Sequence, residues 1–409
     1  MKMGSHRRLD EAGRTYVLLC LSMESYDPGY VDAYFGDPGL KEGFKPWPLD
    51  EMDRRSKDLL QDLLALDSLE YEDEGRKDFL VEQTQALHDF TLILKGRRMN
   101  FDEECRALFG ITPPGYNDRS INSMRNKLDE LLPGSGTLSK RYRRYMESFR
   151  VSPDRALEAV NQLLTLAKDL SSDWLPLPND DFHVQLVPSA PWEAYNYYQG
   201  EARSRIDINA GVPIGVDRMI LYAAHEAYPG HHSMWAIREQ HLLKEKGWQE
   251  HCLVALRSPL ALLAEGAAQY GVELVFPADS RIRIYEESLF PSLGLPPSEA
   301  ERYERISSIG SDLMFRHWVN VTRDFLDGDV DECSTMVRMQ EEQLLPEATA
   351  VSYLEMMKAY RSYVVNYSAG FDLIKAFVEK SQERWEPFRQ VLMEPMTVRR
   401  LKESSGLFQ

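Results

Sequence analysis

Met219-Ile220-Leu221-Tyr222-Ala223-Ala224-His225-Glu226-Ala227-Tyr228-Pro229-Gly230-His231-His232 is the stretch on which the reading of this chain turns. Met219 to Ala224 form an apolar helical run, so the segment starts as a buried helix. Three of the nine histidines then fall between positions 225 and 232. A core helix that opens into H-E and a Pro-Gly break carries metal-ligating side chains out of the interior. This is the mark of a helical protein built around a site.

The spacing is longer than the H-E-x-x-H of zinc hydrolases, which sets two imidazoles one turn apart. On an ideal helix, six residues from His225 to His231 leave the rings about 120° apart in azimuth. Seven residues to His232 restore the azimuth to within about 20° but add about 10.5 Å of rise. Neither lets two rings reach one ion at about 2.0–2.1 Å. The helix cannot stay ideal, however. Pro229 has no N–H for the carbonyl of His225 and its ring clashes there, while Gly230 accepts unusual dihedrals. The Pro-Gly pair is therefore read as a break that loops out extra residues, so that His225 and either His231 or His232 converge.

Outward from this stretch, Ser258 and Pro259 mark a cap and first helical residue. The helix they begin, through Leu263, Glu265, Gly266 and Ala268, is apolar or tiny at nearly every position. A carboxylate in its middle needs a partner, because burying a bare charge costs several kcal/mol or forces it neutral. Zinc is such a partner, which makes Glu265 the candidate third ligand, and Gly266 and the alanines allow close approach of another helix. Gln269 and Glu273 follow on the same face and suit supporting or substrate-binding roles. Singly, an H-E pair, a buried glutamate or a histidine doublet has a structural explanation. Jointly, around a Pro-Gly break, they point to a metal.

Before this site the period changes. Phe182, Val184 and Leu186 alternate with polar residues, as do Ile206 and Ile208 in RSRIDIN, which predicts two or three short strands between Leu175 and Gly211. Between them lies an aromatic cluster, Trp192, Tyr195, Tyr197 and Tyr198. RSRIDIN is expected to offer an edge to an extended peptide. Before about residue 178 and after Asp217 the pattern is helical, with one helix beginning after Pro48 (Asp50 its possible cap), one from about Glu74 to Leu94, and one opened by Ser152-Pro153. The expected fold is mainly α, a large helical metallopeptidase-like fold with a small sheet inserted before the active-site helix. Residues 1–178 form an N-terminal helical region and 179–409 the catalytic region, packed as one unit.

The 48 Lys and Arg against 65 Asp and Glu give a net charge of -17, which repels phosphate backbones and anionic lipid and argues against nucleic acid and membrane as partners. Cys20, Cys105, Cys252 and Cys333 are scattered, with no C-x-x-C pair. Tyr16–Leu21 is too short to span a membrane and follows acidic residues. These features lead to the expectation of a cytoplasmic protein with reduced thiols.

HEAYPGHH followed by LAEGAAQY resembles a bacterial metallopeptidase-like family of uncharacterised function, marked by H-E-x-x-P-G-H-H and a later E-G-x-A-x-Y. That family in turn resembles the helical gluzincin peptidases, including the Taq-type carboxypeptidases. The resemblance covers about residues 190–275. It implies zinc as cofactor, His225, His231 and Glu265 as its ligands, and Glu226 as general base, with His232 a rival for His231. The sequence departs from the family where Phe325 stands in place of a histidine and Met356 in place of a glycine.

The activity expected is hydrolysis of short peptides by a metal-activated water, its proton taken by Glu226. Tyr353 is the expected oxyanion donor, with His317 or Tyr270 behind it. His232, Gln269, Tyr270 and His317 are placed as supporting or substrate-binding residues. Two alternatives remain: a zinc amidohydrolase or esterase on a non-peptide substrate, and a non-catalytic binding scaffold, for which Phe325 and Met356 speak.

Overall fold

Prolines and their preceding residues set where the long helices begin. Helix Leu49–Leu64 follows Pro48, Pro153–Ser172 follows Ser152, and Pro259–Val275 follows Ser258, whose Oγ accepts the N–H of Ala261. Asp50 does not cap its helix. It lies in the first turn, where the helix dipole favours an acid, and pairs with Lys95 at 2.9 Å. Helix Tyr71–Leu94 starts earlier than its apolar periodicity suggests, with Glu72, Asp73 and Glu74 in its first turn. The computed structural model describes residues 2–408 except 68, 117, 189, 191 and 212, and side chains from residue 6 onward except that of residue 118. Helices dominate throughout, and the chain is mainly α.

The strands among the described residues are β1 (Val31–Tyr34), β2 (Arg150–Val151), β3 (Asp181–Val187), β4 (Ala194–Gly200), β5 (Arg203–Asn209), β6 (Ile214–Gly215) and β7 (Leu253–Ala255). The expected sheet before the histidine helix is present, in the order β3-β5-β4. β5 runs parallel to β3 and antiparallel to β4. RSRIDIN is therefore the central strand, and the expectation that it offers an edge is corrected: the edges of this sheet are β3 and β4. The physical reason lies in its side chains: Ser204, Ile206, Asp207 and Ile208 are all buried, a pattern that suits a strand covered on both sides. Two further pairs, β1–β7 and β2–β6, were not foreseen.

Buried apolar residues from Leu9 to Leu401 join into one core, which crosses the boundary at residue 178. Two polar links from the N-terminal helices matter for the site. Arg76 and Glu250 form a buried ion pair at 2.6 Å. Glu104, in helix Phe101–Phe109, accepts hydrogen bonds from Arg361 Nε (2.8 Å) and Ser362 Oγ (2.7 Å), which fixes the chain just before Tyr363.

Candidate metal centre

Helix Val216–His225 ends at the first histidine, and helix His231–Arg238 begins at the second. Between them the hydrogen bonds lengthen their reach: Tyr228 N–H donates to Ala223 O, Gly230 to Ala224, His232 to Glu226 and Ser233 to Ala227. These bonds span five or six residues where a helix spans four. About one extra half-turn is thereby looped out, and His225 and His231 meet as if one turn apart. The Tyr228–Pro229 peptide is cis. A Cβ on Gly230 would lie 1.8 Å from the carbonyl oxygen of His225, so only glycine allows the two helix ends to close.

The rings of His225 and His231 stand nearly perpendicular, at 89°, with centroids 4.7 Å apart. Their Nε2 atoms lie 3.3 and 3.7 Å from the same oxygen, Oε2 of Glu265. One ligand atom from each of the three residues lies within 4.8 Å of the others. Four ligands at about 2.1 Å in a tetrahedron have edges of about 3.4 Å, so the spacing fits zinc. The donor set, two imidazoles and one carboxylate, also leaves a fourth position free for water. Glu265 Oε2 is enclosed without a well-formed hydrogen bond, as are Nδ1 of both histidines. A buried acceptor in that state is what a cation would satisfy.

The electrostatics agree. Burial opposes the charge on Glu265, yet His225 and His231 beside it hold its carboxyl well below the ordinary range. Burial likewise opposes a charge on His231, but Glu265, then Glu226 and Asp32, push it up to about 9.

His232 faces elsewhere. Its Nδ1 lies 2.7 Å from Ser204 Oγ on β5 and its Nε2 3.2 Å from Asp180, which also accepts from the Tyr228 hydroxyl (2.6 Å) and pairs with Lys168. With 1% exposure it is a buried tie between the looped segment and the sheet. Of the two rival histidines, His231 joins Glu265 and His225.

Glu265 sits on the apolar helix Pro259–Val275. Its Oε1 accepts the hydroxyl of Tyr363 at 2.8 Å, which leaves Oε2 for the histidines. Next to it, a Cβ on Gly266 would come within 2.4 Å of the Gly370 backbone. The small residues therefore admit the Asn366–Gly370 segment, as their sequence implied. Glu226, directly after His225, is half-buried, and its main-chain oxygen accepts from Asn196 of β4. Its charge acts on His231 and on Tyr367.

The other expected residues make their direct contacts with groups other than the three candidate ligands. The Tyr353 ring stacks on Trp318 at 4.4 Å, its hydroxyl is 3.7 Å from Met314 Sδ, and Glu193 and Arg218 are its charged neighbours. His317 pairs with Glu342 at 2.5 Å. Tyr270 packs against Phe371 and Phe388, and Glu273 pairs with Lys375 at 3.3 Å. Gln269 lies one turn beyond Glu265 and is half-buried.

Three residues join the centre without any sequence signal. Tyr363 holds Glu265. Tyr367 is a half-buried phenol whose ionisation is suppressed first by desolvation and then by Glu265 and Glu226. Asp32 arrives from β1, its carboxyl bonded by the Tyr195 hydroxyl. Burial pushes Asp32 up to about 7; His231 opposes this, and Glu265 and Glu226 add to it.

No protein-family model and no curated protein matches the chain. Among solved structures it is similar to one described as the putative lipoprotein from Colwellia psychrerythraea, with a TM-score of 0.58 and 15% identity, covering 89% of this chain and 68% of that one. A second, described as a putative lipoprotein of unknown function from Shewanella oneidensis, has a TM-score of 0.52 and 12% identity, covering 87% of this chain and 72% of that one. At such identities the likeness concerns the fold alone. Both neighbours are described as putative lipoproteins, which conflicts with the expected cytoplasmic location. The free cysteines do not discriminate between compartments. Cys20, Cys105 and Cys252 are buried and their thiols pushed up by burial, so they stay inert in either compartment. No helix among the described residues is long and apolar enough to cross a membrane.

Proposed function

We propose that this protein is a zinc-dependent hydrolase that cleaves short peptides. One observation carries the reading: two imidazole nitrogens and one carboxylate, from three helices, converge on a single buried point at tetrahedral spacing. The H-E-x-x-P-G-H-H resemblance supports it from the sequence side.

His225, His231 and Glu265 would hold the metal. Zinc so bound supplies a Lewis acid and lowers the pKa of a water toward about 7. The chain's own residues do the rest. Glu226 follows the first ligand, lies within the field of His231, and takes the proton of the attacking water. Asn196 fixes the backbone of Glu226, and Tyr363 orients Glu265. Tyr367 replaces Tyr353 as the preferred donor to the developing oxyanion, because its phenol, held neutral, feels both Glu265 and Glu226.

The test is metal analysis after zinc repletion, followed by assay on a mixed peptide pool. About one equivalent of zinc and peptide cleavage are expected. Glu226→Gln should keep the zinc and lose the cleavage. Less than half an equivalent of tightly held metal would sink the reading.

A further inference from the structure

Strand β1 carries one residue more than the strand it pairs with. Val31 faces Ala255 and Ala33 faces Val254, so Asp32 is the extra residue of a bulge, without a partner in β7. Bulges re-aim the inserted side chain and recur beside active sites. Asp32 reaches β4, where its Oδ1 accepts the Tyr195 hydroxyl, and its charge acts on His231, Glu265 and Glu226. β4 packs on the helix that begins at His231, so the bond to Tyr195 places Asp32 beside the candidate metal centre, delivered there from a distant part of the chain.

The ordinary roles for such a carboxylate do not apply. It is not among the three converging ligands. It does not orient His231, since Nδ1 of that ring is buried with no hydrogen-bond partner. No Lys or Arg among the described residues forms an ion pair with it; Arg218, the guanidinium nearest Tyr353, is already paired with Glu193 at 3.1 Å. Asp32 is thus a half-buried carboxylate with a phenol but no cationic partner among the described residues, and an uncompensated charge in such a place is costly. A substrate ammonium would compensate it.

We propose that Asp32 binds the free α-ammonium group of a peptide, so that the enzyme removes the N-terminal residue. This deepens the peptidase reading and rests on it. An α-nitrogen is one carbon away from the scissile carbonyl, so the carboxylate that holds it must adjoin the metal centre, as Asp32 does. Beside it the half-buried rings of Trp192, Tyr195 and Tyr197, packed within 4.6–6.4 Å of one another, wall the place where the first side chain would lie.

The experiment measures binding rather than turnover, by calorimetry on the zinc-loaded Glu226→Gln protein. The probes are Leu-Gly-Gly, its N-acetyl form and N-acetyl-Lys-Gly-Gly. Leu-Gly-Gly should bind at least about tenfold more tightly than the acetylated peptide, the effect of one charge-assisted hydrogen bond in a buried site. Asp32→Asn should erase that difference and leave the acetylated peptide unaffected. Equal binding of the free and acetylated peptides, or no binding of either, overturns the proposal. So does N-acetyl-Lys-Gly-Gly binding as tightly as Leu-Gly-Gly, which would assign Asp32 to a side-chain ammonium. The comparison of free with acetylated peptide needs no change at Asp32, so a misfolded Asp32→Asn protein does not void it. Amine-dependent binding without any cleavage by the native enzyme would overturn the peptidase reading while leaving this one standing.

Discussion

The Tyr363 hydroxyl donates a 2.8 Å hydrogen bond to Oε1 of Glu265, and this bond decides which oxygen of the carboxylate faces the histidines. Tyr363 is itself placed by Glu104, through Arg361 and Ser362. Tyr363→Phe keeps the ring and removes only the donor. Zinc affinity should fall about 10- to 100-fold, the usual effect of losing a group that orients a ligand. Chelator competition measures it, and an unchanged dissociation constant would mean that Glu265 needs no orienting.

The two neighbouring histidines should fail in different ways. His231→Ala removes a ligand, so stoichiometric zinc should be lost, while near pH 9, where its pair with Glu265 no longer contributes, the stability of the metal-free protein should change little. His232→Ala leaves the three ligands intact but strips Asp180 and Ser204 of a buried partner. That loss should cost about 1–3 kcal/mol of stability. Metal content and thermal unfolding, read side by side, separate the two. Loss of zinc in His232→Ala with retention in His231→Ala would reverse the assignment.

Gly230 is the residue on which the bulge depends. A methyl group 1.8 Å from the His225 carbonyl oxygen cannot be absorbed without moving one helix end. Gly230→Ala should destabilise the protein by about 1–3 kcal/mol or more. It should also separate His225 from His231 enough to abolish zinc binding. Native zinc stoichiometry in this variant would show that the looped segment is more pliable than its packing implies.

What the sequence revealed was local in origin. Pro-Gly between two histidines encodes its own distortion, and Glu265 stands out because its helix is otherwise apolar. The helix starts after Pro48, Ser152 and Ser258 are read from single residues for the same reason. Asp32, Tyr363 and Tyr367 carried no signal, since their roles arise only when β1 and the Arg361–Gly370 segment are packed onto the histidine helices. Tyr353 stacks on Trp318 and lies within the electrostatic reach of Tyr367, a neighbourhood that its local sequence does not encode. RSRIDIN shows the same limit in a strand. Its period was plain, but whether it lay at an edge depended on β3 and β4 joining from both sides.

The metal-free protein should reveal the site through pH. His231 is pushed up to about 9 from the ordinary imidazole value of 6.5. A raised value means that the folded state holds this proton more tightly than the unfolded chain. The stabilisation from the charged His231–Glu265 pair is then complete below about pH 6.5 and is lost as pH rises through 9. Glu265, held below its ordinary value, contributes stability that is present above about pH 4.5 and is lost as pH falls. The stability gap between metal-free native protein and His231→Gln should therefore be widest between these limits and close toward pH 9. Zinc must displace the same proton, so binding at pH 7 should release it, and affinity should rise about tenfold per pH unit up to 9. Calorimetry in buffers of different ionisation enthalpy counts the protons. Zinc binding with no proton released at pH 7 would show that His231 is neutral and that Glu265 has another partner.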